Sequence, residues 1–141
     1  MRMLRNALLA TVLTGLMNVG QLGAATTTIN WPLISQNICN AIKSDNDGLR
    51  QSAMQRIIQY EGLLDVSDMV FDLVSIFRDH DDVRMRQLAL IALYKTHDSW
   101  AMGFLKRRLA FEDSPKFRYL ITAILIDTGE LPKPASIRTD G

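Results

Sequence analysis

Three stretches of the chain repeat one another at fixed offsets, and this constrains the fold more than any single motif. Asp45, Arg50 and Ala53 recur as Asp81, Arg86 and Ala89, and again as Asp113, Arg118 and Ile121. An apolar residue precedes each arginine (Leu49, Met85, Phe117), and another follows it seven residues on (Ile57, Leu93, Leu125). The copies are spaced by 36 and then 32 residues. A period of that size is the signature of units that cannot bury an apolar face alone and so stack on their neighbours.

The segments between these positions are apolar-periodic blocks of 11 to 15 residues, divided by clusters of Asp, Ser, Asn, Gly and His. Apolar and polar residues do not alternate over any length, so the blocks read as helices and not as strands. The first runs from Pro32 to Lys43, with a proline tolerated in the opening turn and Leu33, Ile34, Ile38, Ala41 and Ile42 at helical spacing. Asp47 is the expected cap of the second, which reaches Tyr60 and stops before Gly62. The third spans Ser67 to Arg78 and the fourth Asp82 to Lys95. Asp98 or Ser99 caps the fifth, whose apolar residues include Trp100, Met102, Phe104 and Leu105 and which ends near Phe111. Ser114-Pro115, a cap followed by a proline in the first helical turn, opens the sixth, which ends at Asp127 before Gly129. The expected fold is all-α: a short α-solenoid of antiparallel helix pairs, about two and a half repeats over residues 32–129. Residues 26–31 form a linker, and 130–141, with Pro132 and Pro134, a tail expected to fray and add nothing to the core.

These features resemble the HEAT-repeat family, in its short bacterial form where an Asp-containing turn leads into an apolar-Arg-x-x-Ala helix. The fourth block matches best, as Met85-Arg86-Gln87-Leu88-Ala89-Leu90-Ile91-Ala92-Leu93, and the resemblance covers Leu33 to Gly129. Gln55 and Arg56 in the second block, and Ile121 in the sixth, depart from the pattern. The resemblance implies that Asp45, Asp81 and Asp113, with Arg50, Arg86 and Arg118, form a structural ladder between neighbouring repeats. Regular spacing favours this over an anion-binding arginine row. It further implies an inner, concave row made by the third and fifth blocks, with Asp68, Asp72, Ser75, Lys106 and Arg107 as candidate partner surface. Both end helices would carry apolar edges, leaving self-association open.

The first 25 residues stand apart. Arg2 and Arg5 precede the uncharged run Ala7 to Met17, and the small residues Gly23, Ala24 and Ala25 follow, which is the layout of a cleavable signal peptide. The run is about half the roughly 20 residues a membrane span requires, so no stable span is expected after cleavage. A periplasmic or secreted protein follows. Losing the leader leaves 14 basic residues of 16 against 15 acids, and a chain so near neutrality has no general attraction for nucleic acid. Cys39 is the sole cysteine, which rules out an internal disulfide; it reads as a small apolar residue at a helix contact and not as a reactive thiol.

Little here suggests catalysis. The two histidines, His80 and His97, sit in inter-helix turns with no nucleophile motif around them. Asp79-His80-Asp81-Asp82 has metal-ligand residue types but no calcium-loop spacing, and the glycines are isolated, so no metal, nucleotide or other cofactor is expected. Lys106-Arg107-Arg108 lies where positive charge complements a helix C-terminus. The expected function is non-catalytic protein binding or scaffolding. The alternatives are a membrane-anchored accessory subunit and a lyase-like enzyme with a bound cofactor.

Overall fold

The computed structural model describes residues 27–135, so the expected leader lies outside the described residues. Its helices are α1 (Trp31–Lys43), α2 (Asp47–Gln59), α3 (Val70–Asp79), α4 (Val83–Thr96), α5 (Ser99–Leu109) and α6 (Pro115–Asp127), with a 3₁₀ turn at Ser67–Met69 leading into α3. There is no strand among the described residues, and no helix among them is long and apolar enough to cross a membrane.

Why the chain folds this way is clearest in α4. Its Leu88–Leu93 run is apolar on nearly all sides, and Ala89, Leu90, Ala92 and Leu93 have no solvent exposure. A helix of that kind must be surrounded. It packs against α2, α3, α5 and α6, while α1 packs on α2. The other helices turn one stripe inward: Ile38 and Ile42 from α1, Ala53, Met54 and Ile57 from α2, Leu73, Val74 and Phe77 from α3, Phe117, Ile121 and Leu125 from α6. Phe77 and Phe117 meet edge to face at 5.7 Å, which joins the second helix pair to the third.

A three-residue turn starts each even-numbered helix, and its chemistry repeats. Asn46, Asp82 and Ser114 are the caps, accepting from the amides of Leu49 (3.0 Å), Arg84 (2.8 Å) and Phe117 (3.5 Å). Two residues earlier, Ser44 Oγ, His80 Nδ1 and Glu112 Oε1 accept the cap residue's own amide at 3.0, 3.0 and 3.1 Å. The second helix is therefore capped by Asn46, and Asp47, the cap expected from the sequence, is its first helical residue. The carbonyl of Asn46 takes the Arg50 amide at 3.0 Å, which fixes Asn46 as the last residue outside the helix.

Gly62 and Gly129 stop helices at φ of 76° and 79°. His97 lies 32 residues before Gly129, in the corresponding turn, at φ 53° without glycine's freedom. Past Gly129, Leu131 turns back, gives its amide to Leu125 at 2.9 Å and packs against the core. The tail expected from residue 130 to add nothing to the core thus begins two residues later, at Pro132, which is exposed.

Candidate functional site

The ladder expected from the repeat is only partly formed. Arg50 reaches Asp45 at 3.8 Å and Asp47 at 3.5 Å, both exposed acids, so these contacts contribute little. Asp81, Asp113 and Arg118 are exposed, and among the described residues neither Asp81–Arg86 nor Asp113–Arg118 is an ion pair within 4.0 Å. The reason is the turn itself. Its first and third residues accept amides, and the middle one, the aspartate of the pattern, is left facing water.

Other groups make the inter-repeat ties. Buried Glu112 accepts from Arg108 Nε at 3.2 Å and lies 4.0 Å from Arg86 Nη2. Arg86 also donates from Nε to the Phe77 carbonyl at 2.8 Å and lies over the Phe117 ring at 4.6 Å. At the opposite helix ends Glu61 accepts from Lys95 at 2.8 Å and pairs with His97 at 2.5 Å, while Tyr94 donates to Asp127 at 2.5 Å. The Lys95 hydrogen bond, then that of His97, holds Glu61 below its ordinary carboxylate range, and the bond to Asp127 raises Tyr94 above its own.

Both histidines are occupied by these turns. The Asp82 amide can only donate, so His80 Nδ1 accepts and Nε2 faces Asp47 at 3.2 Å. His97 faces Glu61. Cys39 directs its thiol to the Asp68 carbonyl at 4.0 Å, and among the described residues no three His, Cys, Asp or Glu side chains are grouped to hold a metal.

The candidate partner-surface residues separate into two sets. Asp68, Asp72 and Ser75, together with Asp79, form one stripe along the 3₁₀ turn and α3, at spacings of four and three residues. Asp72, Ser75 and Asp79 line a cleft of about 560 Å³ between the end of α1, the start of α2 and α3, Asp68 lines another of about 540 Å³ between α1 and the segment before α3, and Lys43 lines both. Lys106 and Arg107 lie on α5: Lys106 reaches Glu130 at 3.4 Å, and Arg107 folds back over Gly103. Between the two sets runs a feature the sequence reading missed. Phe71 of α3 is 66% exposed and packs on Trp100 of α5, 43% exposed, with ring centroids 4.6 Å apart. Trp100 in turn stacks on Phe104 at 6.0 Å and 14°. Three aromatic rings therefore form a continuous apolar seam that runs from exposed Phe71 and Trp100 to Phe104, which is partly buried against the core.

Comparison with family models, with curated proteins and with solved structures finds no match, and the functional reading rests on these residues.

Proposed function

We propose that the chain is an exported, non-catalytic helical-repeat protein that binds another protein through the face formed by α3 and α5. The observation that carries this is the Phe71–Trp100–Phe104 seam. Exposed apolar residues scattered singly are ordinary, but a contiguous aromatic patch flanked by charge is what interaction surfaces present. Rigid aromatic side chains bury much area for little lost conformational freedom, which makes them efficient anchors.

The solenoid reading supports the same conclusion. Successive helix pairs carry the same capped turn, α2 packs on α4 across the repeat boundary, and the polar ties repeat from one pair to the next. Stacking of this kind leaves one helix row free to meet a partner. Export rests on the leader-like residues 1–25. Against catalysis, the nitrogens of His80 and the imidazole of His97 are taken up by turn and inter-repeat contacts, away from any nucleophile motif.

The test is affinity capture from the host compartment with the C-terminally tagged chain, in parallel with a Phe71→Ser/Trp100→Ser variant. Both positions are exposed, so the variant should keep its helicity by circular dichroism. A partner that co-purifies with the parent and is lost from the variant is the expected result. Equal recovery by both chains would remove the seam from the account.

A further inference from the structure

We infer that His80 is an acid-sensitive latch: a proton on its ring releases the turn that starts α4 and loosens the junction between the first and second helix pairs. This property of the fold is independent of what the α3 and α5 face binds.

The three even-numbered helices begin with the same turn but with different acceptors, Ser44, His80 and Glu112, each taking the cap residue's amide. Their responses to acid differ. A serine hydroxyl does not titrate, and a carboxyl keeps an acceptor oxygen in either protonation state. An imidazole that gains a proton becomes a donor at both nitrogens. Of the three turns, only the second therefore loses its acceptor when its side chain is protonated. Histidine is also the side chain whose charge changes between about pH 8 and 5.

The atom concerned is set by the geometry. His80 Nδ1 lies 3.0 Å from the Asp82 amide, and Nε2 lies 3.2 Å from Asp47 Oδ1 on α2. The neutral ring thus carries its proton on Nε2 and donates it to Asp47. A second proton, taken from solvent, goes to Nδ1, where the Asp82 N–H already points. Two donors cannot share that contact, so the ring turns away or the turn opens. The side chain is only 13% exposed and bridges α2 to the start of α4, so either movement is felt where α2 packs on α4.

The surroundings hold the charged ring inside the protein. The cleft of about 560 Å³ beside it is lined by Lys43 from α1, Asp47 and Arg50 from α2, Asp72 and Asp79 from α3, and Asp81 and Asp82 from the turn. Five carboxylates stand there against two cations. Arg78 and Arg84 are engaged by Asp79 and Asp82, and Arg86 of α4 is turned to the Phe77 carbonyl. Asp47 accepts from Nε2 in both states, more strongly from an imidazolium. Exposed Asp81, and Asp72, which faces Lys43, are the carboxylates toward which Nδ1–H can turn. Acid thus exchanges a hydrogen bond of the turn for an ion pair in the cleft.

The experiment is a titration of the full chain by two-dimensional NMR from about pH 8 to 5, following both histidine rings and the amides of Asn46, Asp82 and Ser114. In step with the His80 ring, the Asp82 amide should shift toward its unbonded position, and its protection against hydrogen exchange should fall about fivefold or more. The Asn46 and Ser114 amides, bonded to Ser44 and Glu112, should hold. The Asp82 carboxyl, held down to about 2 chiefly by the Arg84 side chain, keeps its charge throughout this range. His80→Ser copies the acceptor of the first turn and His80→Asn supplies a longer neutral one, so at least one of them should keep the Asp82 amide bonded at every pH. Circular dichroism establishes that both are folded. A His80 ring that takes no proton in this range, an Asp82 amide that stays bonded while the ring titrates, an equal shift at Asn46 and Ser114, or the same acid response in both variants would each overturn the inference.

Discussion

Replacing Glu112 by alanine should destabilise the protein far more than replacing its neighbour Asp113, although Asp113 is the residue that recurs in the sequence pattern. Glu112 is 5% exposed and accepts hydrogen bonds from the Ser114 amide at 3.1 Å and from Arg108 Nε at 3.2 Å, with Arg86 Nη2 at 4.0 Å. Its loss strands a turn amide, removes the acceptor of Arg108 and takes away the charge that Arg86 faces. A fully buried pair broken in this way costs about 3–5 kcal/mol. Here the arginine side chains keep 23% and 29% exposure and can recruit water, so the expected loss is about 2 kcal/mol. For a domain of this size that lowers the thermal midpoint by roughly 10 °C. Glu112→Gln keeps an acceptor for the Ser114 amide and should lose about 1 kcal/mol. Asp113→Ala, at an exposed position outside any ion pair within 4.0 Å among the described residues, should stay within about 0.5 kcal/mol of the parent. Urea denaturation of the three variants at neutral pH gives the ranking directly. An Asp113→Ala loss equal to or above that of Glu112→Ala would refute this reasoning and restore the aspartate to the inter-repeat ties.

Two further perturbations test the turns. Hydrogen bonds from the Arg84 side chain, then its backbone amide, hold Asp82 down from 3.8 to about 2, so its contribution to stability is complete above 3.8 and drains away as pH falls toward 2. Asp82→Asn still caps the helix but cannot titrate; the stability gap between parent and variant should narrow through that window, and thermal melts showing a constant gap would count against it. At His97, alanine keeps the left-handed backbone at φ 53° and loses the Glu61 contact, while glycine loses the contact and relieves the backbone. His97→Gly should therefore exceed His97→Ala by about 1 kcal/mol in chemical denaturation, and the reverse order would show that backbone strain is not what this position carries.

Helices were legible because periodicity and turn chemistry agree along the chain. The blocks predicted from apolar spacing correspond to the six α-helices of the described residues, and Ser114-Pro115 opens α6 as read. Less legible was the direction of individual side chains. Constant offsets marked Asp45, Asp81 and Asp113 as turn residues, but a repeated position in a turn can point to water as well as to a neighbour, and these do. The residue one step earlier does the bonding, and its chemical variety (Ser44, His80, Glu112) hid it from a search for identical residues. What the three share is an acceptor side chain two places before each cap, and that was the available signal. The aromatic seam escaped for a related reason. Trp100 and Phe104 fit the apolar period of α5, but that helix has two apolar stripes, and only the fold decides that Ala101, Met102 and Leu105 take the inner one.

The proposal that this chain binds protein through α3 and α5 is tested most directly by site-specific photocrosslinking in the host. A photoreactive residue is placed singly at Phe71, at Trp100 and at Gln55, the last exposed on α2. The account predicts discrete adducts from positions 71 and 100 and none from 55. Adducts from 55 alone, or silence at 71 and 100, would contradict it.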